Sequence, residues 1–533
     1  MFRTLLLSAL LLASTAPTAQ TPVILAQDAE NLVINDRGDI AYLSNLTLWS
    51  EKGFSFEPRT QIVTQLGGLA GIPSIPLAQI TEYGPFGIDL RGDVFAAFEL
   101  QNNLDPSLSA GFFRATDLAL INGDPSVFPP LSPGSVWLSF QDFVKVNRNG
   151  RVLLAGQVQD PAIPGFGDDV LLSMDFDASG LPSAVLVHGY EGALLPDQVS
   201  PIRSLPDSPV EAEINGNGDV LWGVRFISRP RAIYLNDQPV LQEGDPASVP
   251  GLTIASLTSA PLDLNDAGDW LVLASLTPAP SSTNGALIKN GEVIVREGDP
   301  LGSSGFVVEQ LPTFSPLALT DAGESLYVAT LSPAIGPGTG PNAIVLDDEI
   351  LAQAGKTRVQ GLLLESLYQG QQSPAASPNG RYVTYRATLE LGADVVVLLD
   401  LGRTKPLTGC APNEGVLARD RGFPVAGGTM DLRLDNAQSL LAGANSYLLF
   451  SSSPAPGFPS CGTTTPWGEL LINFGTNGDP FFVQQATSNP QPLFFSQSPA
   501  LVNQTFYVQG IFFDPGASPP FRYTNALEVE IGA

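Results

Sequence analysis

LNDAGDWLVLASL, residues 264–276, couples a polar turn to an apolar run, and the chain repeats the coupling. INDRGDIAYLSNL begins at Ile34, INGNGDVLWGVRF at Ile214, LTDAGESLYVATL at Leu319 and ASPNGRYVTYRAT at Ala376. Aligned on the turn glycine, the copies fall at Gly38, Gly92, Gly150, Gly218, Gly268, Gly323 and Gly380, a mean spacing of 57 residues. Asn or Asp opens an Asx-type turn, and glycine takes positive φ without a Cβ clash. The motif therefore predicts a tight hairpin. The leading position varies: Asp89, Thr320 and Ser377 stand where other copies have Asn.

After each glycine, residues such as Val152–Ala155 and Trp270–Ala274 are apolar consecutively instead of alternately. A strand written this way is covered on both faces. Hairpins buried on both faces predict sheets stacked on neighbouring sheets, as blades are in a β-propeller. The period somewhat exceeds the roughly 40 to 50 residues of known propeller repeats, an excess that loops can supply. A second mark follows the hairpins: INGDP at Ile121, QEGDP at Gln242, REGDP at Arg296, and LGG at Leu66, HGY at His188 and QAGK at Gln353. Asp124, Asp245 and Asp299 could form a carboxylate ring on one face. Gly and Pro equally specify a turn with an extended exit, the reading preferred here because the glycine recurs more widely than the acid. Six marks follow seven hairpins, so the seventh unit lacks a strand. VILAQ at Val23 resembles EILAQ at Glu349 and is expected to supply it, although the interval from Gln27 to Asn35 is short.

Composition fits an almost entirely β chain. Gly and Pro supply 100 of 533 residues, scattered between apolar runs. Residues 1–20, with Arg3 and an apolar stretch from Leu5 to Ala13, read as a secretory signal peptide with an undefined cleavage point. No later segment approaches the roughly 20 apolar residues of a transmembrane helix. The formal net charge of −28 excludes a phosphate-binding surface of clustered Lys and Arg, hence nucleic acid. A secreted, periplasmic or cell-surface protein is expected.

Catalytic motifs are scarce. His188 is the one histidine, which excludes multi-histidine zinc sites, and no GxSxG elbow accompanies it. It reads as a blade-turn residue. Cys410 and Cys461 lack CxxC spacing and read as a disulfide in an exported chain. Glu213, Asn215, Asn217 and Asp219, like Asp175, Asp177 and Ser179, place oxygens on alternate residues, as calcium loops do. Leu186 and Val224 stand where the closing carboxylate belongs, so no cofactor is expected. A pair of converging carboxylates among the 53 acidic residues stays open.

The repeat resembles that of bacterial secreted tandem-repeat proteins described by the pattern NxxGxxAF, over residues 23–402. SPNGRYVTY at Ser377 is also similar to the SPDG-type units of TolB-like propellers. From residue 405 the repeat stops. Residues 405–533 suit one β-sandwich, with strand candidates SYLLFSSS at Ser446, GELLINFG at Gly468, TFYVQGIFFD at Thr505 and ALEVEIG at Ala526. Gly409-Cys410, Cys461, PALVNQTFYVQ from Pro499 and the closing TNALEVEIG resemble an uncharacterised C-terminal module of large secreted bacterial proteins. The resemblance implies an appended display or adhesion domain. The expectation is an all-β chain: a seven-bladed β-propeller followed by a sandwich, binding an extracellular protein or polysaccharide without catalysis. A propeller enzyme using central carboxylates on polysaccharide is the alternative.

Overall fold

The computed structural model describes residues 23–533 except 28, 45–46, 53–59, 64–78, 102–108, 115–116, 127–129, 162–167, 178–181, 197, 207, 258–259, 281–282, 314, 334–340, 369–372, 391, 411–412, 414, 436–444, 459–460, 474–480, 517 and 519. The signal-like segment 1–20 and the mark at Leu66 lie outside the described residues. The chain is all-β and divides into two compact units, Val23–Leu398 and Leu399–Ala533.

In the first unit, antiparallel sheets succeed one another along the chain. The first holds Ala29–Ile34, Asp39–Ser44, Thr47–Lys52 and Thr60–Val63; the second holds Gln79–Ile88, Val94–Gln101, Ala110–Arg114 and Asp117–Ile121. The third runs from Val136–Val146 through Val152–Gln159 and Asp168–Phe176 to Pro182–Tyr190. In the fourth, fifth and sixth, whose second strands are Val220–Phe226, Trp270–Thr277 and Ser325–Pro333, the first strand is split into two short pieces. The seventh is built on Tyr382–Leu389 and Ala393–Asp400, and its last strand is Val23–Gln27, paired antiparallel to Ala393–Asp400. The first strands pack one on the next around the unit, and the piece Ala375–Ala376 returns to Ala29–Ile34. This closed ring of sheets is the arrangement of a β-propeller.

The consecutive apolar runs serve two cores each. Val152 and Leu154 join Phe95, Phe112 and Trp137, whereas Leu153 and Ala155 join Trp222 and Tyr234 of the following sheet. All four of these run residues are buried. A strand side chain alternates faces, so burial on both faces requires a sheet on either side.

In the second unit, Arg403–Leu407, Phe521–Glu530, Thr505–Phe513, Asn445–Ser451 and Phe481–Gln485 form one sheet in that order. Val416–Gly422, Thr429–Asp435 and Gln491–Phe494 form another. Met430, Leu432 and Leu434 of the smaller sheet share a core with Leu448, Phe450, Val508 and Val529 of the larger. Among the described residues of the GELLINFG segment, Gly468–Leu470 is the strand, paired with Thr463–Thr465.

Candidate functional site

Each repeat turn places its glycine at positive φ, from 72° at Gly380 to 89° at Gly92. Oδ1 of Asn215 accepts the N–H groups of Asn217 and Asp219, closing the Asx turn, and Asn35 and Asn147 do the same. The amide nitrogen has a second task. Asn35 Nδ2 donates to Asp89 O (2.8 Å), Asn147 to Asn215 O (2.8 Å), Asn215 to Asn265 O (3.0 Å) and Asn265 to Thr320 O (2.9 Å). Each bond joins one sheet to the next. Where the leading residue has no amide, the backbone substitutes: Leu90 N–H donates to Arg148 O, and Asp321 N–H to Pro378 O. Asn379 closes the circle onto Asp36, donating from Nδ2 to its carbonyl (3.0 Å) and from N–H to its carboxylate (2.6 Å). The result is a continuous belt of hydrogen bonds around the ring.

The belt surrounds one end of a channel lined by the first strands of all the sheets, with a cavity volume of about 190 Å³. Its wall is lopsided. Leu32, Ile34, Phe86 and Ile88 make one side apolar, while Lys145, Glu213 and Asp263 from three successive sheets charge the other. Lys145 Nζ lies 2.7 Å from Glu213 Oε2. Burial opposes the lysine charge, but Glu213 and then Asp263 outweigh it, and the lysine pKa is raised. Burial first, then Glu213, pushes Asp263 well above the carboxylate range, with Lys145 and the N–H groups of Leu319 and Leu264 opposing. At the mouth, Arg148 reaches past the fourth sheet to Asp266 (2.5 Å) and Asp321 (3.7 Å). It passes over Gly216, where a Cβ would stand 2.6 Å from its Nε.

Of the sequence-level candidates, Glu213 and Asn215 line this channel, whereas the turn aspartates do not. Asp124, Asp245 and Asp299 each accept a backbone N–H three residues upstream, from Ile121, Gln242 and Arg296, so each carboxylate caps its own turn. The neighbouring glycines tie one sheet to the next: Gly123, Gly244 and Gly298 donate to Trp137, Ile254 and Val308.

His188 is a correction. It lies in the strand Pro182–Tyr190, not in a turn, and the positive-φ glycine of that mark is Gly192 instead of Gly189. Its ring is half-buried, Nε2 3.0 Å from Ser173 Oγ, and that hydroxyl also accepts from Arg151. Burial, then the Arg151 charge, lowers the histidine pKa to about 4.

In the calcium-like stretch the Glu213 carboxylate accepts from Lys145, Asn215 Oδ1 from the N–H groups of Asn217 and Asp219, and the Asp219 carboxylate from Asn215 and Asn236, while Asn217 donates from Nδ2 to Asp266 O. In the other stretch, Asp175 pairs with Arg151 at 2.9 Å, and Ser179 lies outside the described residues. Cys410 and Cys461 form a disulfide, Cα atoms 5.1 Å apart.

The loop after Leu194 is anchored by bonds that no local sequence pattern specifies. Gly192 N–H donates to Ile202 O and Ile202 N–H to Ala193 O across it, Gln198 N–H closes on Leu195 O, and Ser228 reaches Ser200 Oγ through both its N–H and its hydroxyl. On this fastened loop Leu194 and Val199 are 61% and 78% exposed, and Ile227 beside it is 61% exposed.

No family model matches the chain, and no curated protein sequence does. Among solved structures, the chain is similar to the Dos1 propeller (9% identity, 72% of this chain and 95% of that one, TM-score 0.34). It is also similar to the Penicillium chrysogenum alpha-L-arabinanase complexed with arabinobiose (13%, 63% and 97%, TM-score 0.30) and to the Hadza microbial sialidase Hz136 (10%, 70% and 65%, TM-score 0.28). Likenesses this distant say nothing of what this chain binds or does.

Proposed function

We propose that the protein is an exported, non-enzymatic binding protein: a seven-bladed propeller of the NxxGxxAF-like kind carrying a C-terminal β-sandwich. Its loops present a surface to an extracellular protein or polysaccharide. The observation that carries this reading is the 194–204 loop, which exposes large apolar side chains while being fastened at both ends. Rigid loops on a closed scaffold suit recognition, because little freedom is lost on binding. The channel supports the same reading: 190 Å³ falls short of the roughly 300 Å³ at which small-molecule pockets begin. Replacing residues 194–209 with a short Gly-Ser linker should abolish binding of the exported protein to envelope material of its own cells. Retained binding by the folded variant overturns the proposal.

The alternative is a polysaccharide-active enzyme, favoured by Glu213 and Asp263 sharing the channel, with Asp263 held above the carboxylate range. Lys145 on Glu213 weighs against a free nucleophile or base. Reducing-sugar release that vanishes in Glu213→Gln would establish the enzyme.

A further inference from the structure

The repeat supplies its own controls, and one sheet departs from them. In the fourth and fifth sheets a hairpin Asn at positive φ, Asn236 or Asn290, accepts the N–H of Val220 or Trp270 through Oδ1. The amide nitrogen then donates to the turn carboxylate, Asp219 at 3.0 Å or Asp269 at 2.7 Å. In the sixth sheet the same place is held by Asp347, at φ 53°, which accepts the N–H of Ser325 at 2.8 Å. A carboxylate has no N–H to return. Ser325 is the second departure, because every other copy has an apolar or aromatic residue after the turn, such as Val220 or Trp270. Its side chain is buried, 1% exposed, and its hydroxyl has no hydrogen-bond partner among the described residues. A buried unpaired hydroxyl costs stability unless something fills its valence.

Both departures line one cleft of about 600 Å³ between the fifth and sixth sheets, within the size range of ligand pockets. Leu301 and Ile294 give it an apolar wall. Asp299, Asp347 and Asp348 face Lys289, an excess of acid, and Lys289 Nζ already donates to Gly323 O at 2.6 Å. Asp348 leans over Gly302 so closely that a Cβ there would collide with its carboxylate. Among the described residues these aspartates are not grouped within reach of one metal ion. We propose that this cleft binds an organic cation, an ammonium or guanidinium head at Asp347 and Asp348 with its aliphatic stem on Leu301 and Ile294, completed by the Ser325 hydroxyl. This site is separate from the 194–209 loop, so either can fail alone.

Agmatine is the probe, titrated calorimetrically into the whole exported protein at about 0.15 M salt, where diffuse attraction to an acidic surface is largely screened. One saturable site is expected. Asp348→Asn should weaken it tenfold or more, as should Gly302→Ala. Asp237→Asn, at the matching exposed position of the fourth sheet, should leave it unchanged. Ser325→Ala should weaken agmatine severalfold while leaving the melting temperature of the free protein equal or higher, which a purely structural serine would not do. Absence of saturable binding overturns the proposal. So does equal affinity in Asp348→Asn and wild type, or glucose binding at the same site in place of agmatine.

Discussion

The two units close by different means. Residues 23–398 are held by many similar links: each sheet buries apolar residues against the next, and hydrogen bonds from Asn35, Asn147, Asn215, Asn265 and Asn379 run around the ring. Residues 399–533 have no repeat, and one covalent link joins Cys410 to Cys461 across a sequence separation of 51. A distributed closure tolerates loss of one link but fails if the circle opens. A concentrated one has a single point of failure.

Opening the circle is the severest test. Val23–Gln27 pairs with Val395–Leu398, and deleting it exposes that edge to other chains. The expected loss is on the order of 5 kcal/mol, comparable to a domain's whole stability, with aggregation on size-exclusion chromatography. A deletion variant that stays monomeric with an unchanged melting temperature contradicts the closure.

Much of this ring was legible because its signals are local. Turn glycines fix their own φ, and a doubly apolar strand declares that both faces are covered. The belt was hidden because an amide's second bond depends on a carbonyl some fifty residues away, which no local pattern specifies. One hint was present. An Asx turn needs only an oxygen, yet four of the seven turns open on Asn. His188 misled because HGY mimics the glycine mark, whereas a strand continuing to Tyr190 moves the turn to Gly192. The cleft of the sixth sheet shows only when Asp347 and Ser325 are set beside Asn236 and Val220 in register, a comparison the hairpin geometry makes possible.

Reductant should separate the units. Cys410 and Cys461 are both exposed, so it reaches the bond without unfolding. The chain-entropy model assigns a closed loop of this length roughly 4 kcal/mol. Reduction, or Cys410→Ser with Cys461→Ser, should lower unfolding of 399–533 by about that amount and leave the 23–398 transition in place. Calorimetry checks this; a shift of both transitions together denies their independence.

Acid should act on the ring through its one histidine. Burial lowers the folded-state pKa of His188 to about 4, below the 6.5 of a free side chain. Between those values the unfolded chain takes up a proton that the folded ring refuses. The contribution is therefore intact above pH 6.5 and lost as pH falls toward 4, on the order of 3 kcal/mol. Wild type should lose that much relative to His188→Gln across this window. The single histidine Hε1 resonance should titrate near pH 4; a midpoint above 6 refutes the burial.

The smallest effect is the most specific to the belt. Asn265→Asp keeps an oxygen for the Asp269 N–H but sets a carboxylate against Thr320 O and the Asp269 side chain, removing two donated bonds. It should cost about 2 kcal/mol, the scale of a buried polar group left unpaired. A turn needing only an Asx oxygen would not notice the change. Asp89→Asn runs the exchange backwards. Asp89 is buried and its pKa is raised, chiefly by desolvation, so it is a costly carboxylate whose Oδ1 accepts the N–H groups of Arg91 and Asp93. Asparagine keeps that oxygen, removes the buried charge and adds a donor at the point of the belt where Leu90 N–H bridges to Arg148 O. It should stabilise the ring by up to about 1 kcal/mol near neutral pH. Chemical denaturation of both variants reads the pair together. If Asp89→Asn destabilises as much as Asn265→Asp, the amide belt is not what sets these residues, and turn chemistry alone must explain them.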